Sequence, residues 1–182
     1  MKELALHLLD IAENSIAANA KNITIIVEEN TIADYLKMII TDDGKGMSQE
    51  MVSRVVDPFV TSRTTRKVGL GIPLLKAAAE ACNGYLTIKS EPGKGTSVEV
   101  CFQHSHIDRM PLGDLTGTFL GLVIGSPEIH WVFKYTHNHH EFVFDDAPIK
   151  AELDGIPLSE PSVLGFIRQY LEEGIRQAIS KN

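Results

Sequence analysis

The fold is decided by residues 22–48, "NITIIVEENTIADYLKMIITDDGKGMS", where two apolar runs lead into a loop of acids and glycines. The runs at 22–30 and 35–41 are rich in β-branched residues and have the length of strands. The short polar link between them predicts an antiparallel pair. The acid- and glycine-rich loop at 41–48 then follows the end of the second predicted strand directly.

Two interpretations of this loop remain open from its residues alone. Asp42 stands where the strand ends, and its carboxylate can accept a hydrogen bond from an exocyclic amine. Gly44 and Gly46 permit positive φ and the close approach of a ligand. The other interpretation is a strand-to-helix turn with a capping aspartate, since Asp-Gly pairs are common in turns. Asp43 and Lys45 are expected to be solvent-facing turn residues under both interpretations.

A helix is predicted before the strands, at residues 2–20, where apolar residues recur with helical spacing and no glycine or proline intervenes. The polar arc of this helix carries Asp10 and Asn14, which are four residues apart and therefore neighbours. Their oxygens suit Mg²⁺, and Asp10 can take a proton from an attacking water. The alternative is the wet side of an amphipathic helix. We assign Glu3, His7 and Glu13 to that wet side.

A second glycine-rich stretch, "VGLGIP" (68–73), ends a basic loop and begins a predicted helix. Backbone N–H groups at the positive end of a helix bind phosphate. Arg63, Arg66 and Lys67 precede the glycines, and three cations in an acidic chain favour an anionic ligand. The alternative is a solvated basic loop. Upstream of this loop, Ser48 is expected to cap a helix over about 49–56.

The helix predicted after the basic loop leads into a hairpin, "YLTIKSEPGKGTSVEVCF" (85–102), with its turn at the glycines. Thr96 begins the returning strand, and its hydroxyl can point at a ligand. Taken alone, an ordinary strand threonine is the simpler interpretation.

The remainder of the chain predicts a linker at 103–114 and then a β-rich unit closed by a helix over about 160–179, with Ser159 as its cap. The runs "TFLGLVIG", "IHWVFKY" and "EFVFDD", with "IKAEL" as an extension, are strand-like. Trp131 is expected in a core. "HNHH" (137–140) with nearby Glu141 can hold Zn²⁺ or a transition metal, although a hairpin loop between two strands is favoured.

Composition excludes several classes of function. The 182 residues include 17 Lys and Arg against 24 Asp and Glu, so the net charge is −7. An acidic chain of this kind disfavours general binding of nucleic acid or anionic membrane. Cys82 and Cys101 lie in no metal-binding spacing and are expected to be buried thiols in a reducing compartment. With no signal pattern and no apolar run of membrane length, a soluble cytoplasmic protein is predicted.

Four motifs in order resemble the Bergerat-fold ATP-binding domain of DNA gyrase, ninety-kilodalton heat-shock chaperones, sensor histidine kinases and mismatch-repair ATPases. "LLDIAENSIAANA" (8–20) resembles the N box and "DDGKGM" (42–47) the G1 box. "DPFVTSR" (57–63) resembles the start of the lid. "GLGIPLLKAAAEACNGYLTIKSEPGKGTSVEV" (69–100) is similar to the G2 box, helix and final hairpin of sensor kinases.

The resemblance implies an α/β two-layer sandwich, a mixed sheet covered on one face by helices, that binds ATP and Mg²⁺. Asp42 would bind the adenine amino group with Thr96 nearby, and Asn14 would ligate the Mg²⁺ ion. Gly44, Gly46 and Met47 would border the base. The phosphates would meet the backbone N–H groups of Gly69, Leu70 and Gly71, under a basic lid that includes Arg66 and Lys67.

The departures from the family pattern shape the expected activity. Asp10 stands where hydrolysing members carry a glutamate, and Val68 where many members carry another glycine. Because the N box stands at the start of this sequence, no phospho-accepting domain is expected before it, and a substrate on another protein chain is expected. Phosphate transfer to a partner, slow ATP hydrolysis and a non-catalytic ATP-dependent module are the three hypotheses. The expected domains are an ATP-binding domain (1–102), a linker (103–114) and an accessory β/α domain (115–182).

Overall fold

The computed structural model describes residues 3–57 and 71–181. The strands in these ranges are β1 (Asn22–Asn30), β2 (Tyr35–Asp42), β3 (Tyr85–Glu91), β4 (Gly95–Gln103), β5 (His130–His137) and β6 (His140–Asp145). The helices are α1 (Leu4–Ala17), α2 (Gln49–Val55), α3 (Gly71–Ala81), α4 (Leu115–Gly125), α5 (Asp146–Leu153) and α6 (Pro161–Ser180).

The strands form one sheet in the order β3-β4-β2-β1-β5-β6. β1 and β2 pair in antiparallel fashion, with Ile25 opposite Ile40, as the sequence predicts. On its other side β1 pairs with β5 in parallel, and the remaining pairs are antiparallel. Alternate residues of β1, β2 and β5 are buried because successive side chains point to opposite faces of a sheet. In β1 the buried set is Ile23, Ile25 and Val27.

Helices cover the buried face of this sheet. α1 packs against both α3 and α4, α4 also packs against α6, and α6 lies on β5 and β6. One hydrophobic cluster extends beneath them from Leu8 and Ile25 to Trp131 and Ile167. The predicted two-layer sandwich is therefore confirmed, and so is the predicted burial of Trp131, which is fully enclosed.

Three assignments in the C-terminal third of the chain were wrong. "TFLGLVIG" belongs to α4, which Asp114 begins by accepting a hydrogen bond from the Gly117 N–H at 2.8 Å. Because α4 lies between α1, α6 and the sheet, it is apolar around much of its surface, and such short runs do not distinguish a helix from a strand. "IKAEL" belongs to α5. The cap position of α6 is Glu160 rather than Ser159, and it makes no side-chain cap bond.

The predicted linker packs against the start of α1. The carbonyls of Pro111 and Leu112 accept hydrogen bonds from the Leu4 and Ala5 N–H groups, at 2.9 and 2.8 Å. These donors have no partner within a helix, so the connection satisfies them. Together with the β1–β5 pairing, it ties the C-terminal segment into the same sheet and core. The division into domains at 103–114 remains a prediction.

The polar arc predicted for α1 is narrower in the structure. His7 is 4% exposed, because α3 and α4 flank α1 on both sides, so its assignment to the wet side was wrong. Burial lowers the pKa of His7, although the Asp10 carboxylate raises it. Asn14 and Glu13 are exposed, and Asp10 is half-buried. Among the described residues, no helix combines the length and the apolarity needed to cross a bilayer.

Candidate functional site

The site is built around Asp42, which ends β2 and is 8% exposed. The Gly44 N–H donates to Asp42 Oδ1 at 2.9 Å. The Ser15 hydroxyl donates to Asp42 Oδ2 at 2.5 Å. A carboxylate so far removed from water requires such donors, and together they determine its orientation. Each oxygen can accept a further hydrogen bond from a ligand.

Ser15 is a site residue that the sequence interpretation missed. It lies on the buried side of α1, one turn after Ile11, and it is 3% exposed. A serine among apolar residues at helical spacing was the available signal, because a buried hydroxyl requires a hydrogen-bond partner. Asn14, the preceding residue, is exposed, so Ser15 faces Asp42 while its neighbour faces solvent.

The glycines after Asp42 are required for two different reasons. Gly46 has φ +66°, and a Cβ there would lie 1.9 Å from the Glu91 carbonyl oxygen. Gly44 does not adopt positive φ, but a Cβ there would lie 2.9 Å from Ala18. The loop is therefore packed between the end of α1 and the β3–β4 hairpin. Positive φ was confirmed at Gly46, whereas close approach of the backbone explains Gly44.

A hydroxyl pair connects this loop to the hairpin. Ser90 Oγ accepts a hydrogen bond from the Met47 N–H at 2.8 Å and lies 2.9 Å from Thr96 Oγ1. Ser90 is buried and also donates to the Gly95 carbonyl at 3.0 Å. Thr96 stands directly opposite Asp42 in the β2–β4 register. Ser90 is therefore a second site residue that the sequence interpretation missed.

Asp43 faces solvent, as expected, but it also anchors the loop to β1. Asp43 Oδ1 accepts hydrogen bonds from the Lys21 and Asn22 N–H groups, at 2.7 and 2.9 Å. Asp43 Oδ2 accepts one from Asn22 Nδ2 at 2.6 Å. Burial raises the pKa of Asp43, but these donors, with Asn22 foremost, outweigh burial and hold it below its usual range. The carboxylate thus joins the loop to the start of β1.

The side chain of Asp10, in α1, lies close to the first residue of α3. A Cβ on Gly71, the first residue of α3, would lie 3.0 Å from Asp10 Oδ2. Asn14 is one turn further along α1, and within the described residues no hydrogen bond engages its amide. The structure thus brings Asp10 close to Gly71, with Asn14 one turn away from Asp10 on α1. The other predicted phosphate-loop residues, Arg66, Lys67, Gly69 and Leu70, lie outside the described residues, as do Arg63 and Val68.

The histidine-rich segment forms a hairpin turn between β5 and β6, with Asn138 at φ +53°, and the favoured interpretation is confirmed. His137 is buried and His139 exposed. Among the described residues, the group with metal-ligand spacing is instead His130, Asp145 and Asp146. Lys150 Nζ already lies 2.6 Å from Asp146 Oδ2, so an ammonium group supplies the positive charge there.

The residues of this site lie within the part of the chain that matches a known family. Residues 2–106 match the family described as histidine kinase-, DNA gyrase B-, and HSP90-like ATPase. The chain is 32% identical to the non-motile and phage-resistance protein of Caulobacter vibrioides, over 56% of this chain and 13% of that protein. It is 31% identical to the cell-division control histidine kinase PdhS of Brucella ovis, over 59% of this chain and 11% of that protein. The chain therefore spans a small fraction of these relatives.

The fold is also similar to that of a solved structure, the MutL ATPase domain of Aquifex aeolicus complexed with ADP. The TM-score is 0.52 at 14% identity, covering 85% of this chain and 68% of that chain. This likeness covers a larger share of the chain than the family match does. The chain belongs to the family of histidine kinase-, DNA gyrase B-, and HSP90-like ATPases, and it is an ATP-binding protein of the histidine-kinase-like type.

Proposed function

We propose that ATP binds between α1, the 42–47 loop, the β3–β4 hairpin and the start of α3, with Asp42 selecting adenine. The observation that carries this proposal is the buried Asp42 carboxylate, oriented by the Ser15 hydroxyl and the Gly44 N–H. An oriented acceptor beside a glycine-lined loop suits the exocyclic amine of adenine. Thr96 lies opposite Asp42 in the sheet, and its hydroxyl contacts the Ser90 hydroxyl that accepts from the Met47 N–H of the same loop.

The remaining contacts in this proposal follow from position. Gly44, Gly46 and Met47 border the base, and Gly71 lies at the phosphate end, beside the positive end of α3. Arg66, Lys67, Gly69 and Leu70 lie outside the described residues, and the family resemblance alone assigns them to the phosphates.

Mg²⁺ is part of the proposal, and the residues present fit it. Asn14 offers an exposed amide oxygen, one turn from the Asp10 carboxylate, and hard oxygen ligands of this kind suit Mg²⁺. Asn14 is the residue that would hold the ion. When bound, Mg²⁺ would neutralise charge on the phosphates.

The activity that we propose is phosphoryl transfer to a partner protein in cytoplasmic signal transduction. A nucleophile of the partner attacks the γ-phosphorus, the bond from that phosphorus to the bridging oxygen breaks, and ADP leaves. Asp10, beside the first residue of α3, accepts the proton of the nucleophile. The identity to histidine kinases supports this activity, although the chain spans only 11% of PdhS.

A second candidate is an ATP-dependent switch that hydrolyses ATP slowly or only binds it. Asp10 reaches one methylene less far than the glutamate of hydrolysing family members, which disfavours efficient activation of water and favours transfer, so any hydrolysis in this second candidate is expected to be slow. Radiolabelled ATP separates the activities: label on a partner protein supports transfer, and release of free phosphate supports hydrolysis. If Asp10→Ala still binds ATP and still regulates the partner protein, the result would support a non-catalytic module that only binds ATP.

Calorimetric titration with Mg·ATP tests the nucleotide site itself. Asp42→Asn is expected to weaken ATP binding at least about tenfold, because the NH₂ group of the new asparagine side chain would face the exocyclic NH₂ group of adenine, and two donors do not form a hydrogen bond. Asp154→Asn is the matched control, since Asp154 is exposed in a left-handed turn that asparagine also adopts. Unchanged affinity in Asp42→Asn would contradict the assignment of adenine to this residue.

A further inference from the structure

A run of hydrogen bonds extends from the nucleotide loop to the C-terminal hairpin. It begins at Asp43, whose Oδ2 accepts from Asn22 Nδ2 at 2.6 Å. An ionised carboxylate only accepts, so the amide nitrogen of Asn22 must face Asp43 and the amide oxygen must face the other way. That oxygen, Asn22 Oδ1, lies 3.0 Å from His130 Nδ1.

His130 is the next member of the run, at the start of β5. Its Nε2 lies 2.9 Å from Asp145 Oδ1, the residue that caps α5. Asp145 Oδ1 also accepts from the Ala147 N–H at 2.9 Å. This N–H, and after it the His130 ring, holds the pKa of Asp145 below its usual range although burial raises it. The Asp145 carboxylate is therefore an acceptor as well.

Both ring nitrogens of His130 thus face oxygens that accept. A neutral imidazole carries one N–H, so only the protonated ring donates to both oxygens at once. The carboxylates of Asp145 and Asp146 lie beside the ring, and Lys150 pairs with Asp146. Asp43 lies beyond Asn22 on the other side.

We propose that protonated His130 is a positioning residue for the nucleotide loop, acting through Asn22 and Asp43 on the backbone that follows Asp42. The proposal rests on the assignment of ATP to this loop. The Lys21 and Asn22 N–H groups hold Asp43 Oδ1, and the run through His130 adds to this anchoring by orienting the Asn22 side chain that donates to Asp43 Oδ2. When the ring loses its proton, one oxygen faces a lone pair, and the run is broken.

ATP affinity should therefore depend on His130 in a pH-dependent way. His130→Gln is expected to bind Mg·ATP roughly five- to tenfold more weakly than the wild type at about pH 6, as for a lost bond to a charged group that is partly exposed. At about pH 8.5 the difference should fall below about twofold, because an imidazole that has lost its second proton donates to only one of the two oxygens. His139→Gln, in the exposed hairpin turn, is the matched control. ATP ionises identically in both titrations, so its own pH dependence cancels in the comparison.

Amide hydrogen exchange of the free protein gives a second measurement that needs no ATP. His130→Gln should speed exchange of the Asp43 and Gly44 amides, while His139→Gln leaves it unchanged. If His130→Gln does not fold, Asp145→Asn replaces it, since loss of that charge removes the partner that favours the protonated ring.

The outcomes separate this proposal from the proposed function. Wild-type affinity in His130→Gln at both pH values, with unchanged amide exchange, would overturn the positioning role while ATP binding stands. Absence of ATP binding in the wild type would overturn the proposed function, and the exchange measurement alone would then decide the role of His130 in holding the loop.

Discussion

Replacement of Ser15 by alanine tests whether the buried hydroxyl orients Asp42. The Ser15 hydroxyl is 2.5 Å from Asp42 Oδ2, and both residues are buried. Loss of a hydrogen bond to a charged, buried acceptor costs about 1.5–3 kcal/mol. Alanine recovers about 0.5 kcal/mol through its higher helix propensity. The free energy of unfolding should therefore fall by about 1–2.5 kcal/mol.

Loss of the Ser15 hydroxyl should also weaken the affinity for ATP. Without Ser15 the Asp42 carboxylate keeps the Gly44 N–H on Oδ1 but has no described donor on Oδ2. ATP must then restore the orientation when it binds, so Kd should rise about five- to tenfold. Urea unfolding measures the first effect, and calorimetric titration with Mg·ATP measures the second.

Ser53→Ala is the matched control for this prediction. Ser53 also lies in a helix and donates to a carbonyl one turn away, but it is exposed in α2. It should change neither stability nor ATP affinity appreciably. If Ser15→Ala keeps wild-type stability and binds ATP within twofold of the wild type, the orienting role of the hydroxyl is refuted.

Three further predictions concern the scaffold of the site. Gly46→Ala should lower the free energy of unfolding by more than about 2 kcal/mol, since its Cβ would clash with the Glu91 carbonyl. The control is Gly93→Ala, which is also at positive φ but has no atom within 4 Å of the added Cβ, and it should cost only about 1 kcal/mol. Equal losses of stability in urea unfolding would contradict this account. The lowered pKa of Asp43 stabilises the fold above its unfolded value of about 3.9, and this stabilisation is lost as pH falls through the folded-state value. Asp43→Asn should therefore flatten the acid limb of stability against pH, and an unchanged limb would count against it. Removal of residues 104–182 should leave β1 as an open sheet edge and expose the start of α1. The fragment should therefore unfold at a lower temperature than the full chain in thermal melts, and it should aggregate. A fragment as stable as the full chain would instead indicate an independent N-terminal domain.

The first hundred residues were largely predictable because their signals are local. β1 and β2 follow from β-branched runs, and Ser48 caps α2 by accepting from the Met51 N–H, as expected. Alternation in a strand and capping of a helix depend on neighbours a few residues away. The glycines at 44 and 46 were also predictable as places where the chain requires unusual freedom or space, and the structure distinguishes these two reasons.

Other features depend on contacts between distant parts of the chain, which no local pattern encodes. Ser15 and Asp42 are 27 residues apart, and His130 and Asn22 are 108 apart. The burial of His7 depends on α4, and α4 itself was taken for a strand because an apolar run fits either element.

The family resemblance, the antiparallel β1–β2 pair, and the glycine-rich loop with its aspartate can all be predicted from local patterns of residues. Three features emerge only from the packed fold: β5 joins β1 in the same sheet, the connection at 103–114 satisfies the first N–H groups of α1, and the Ser15 hydroxyl faces Asp42. The physical reason is that backbone preferences act over a few residues, whereas the partner of a buried polar group is chosen by the packing of whole elements.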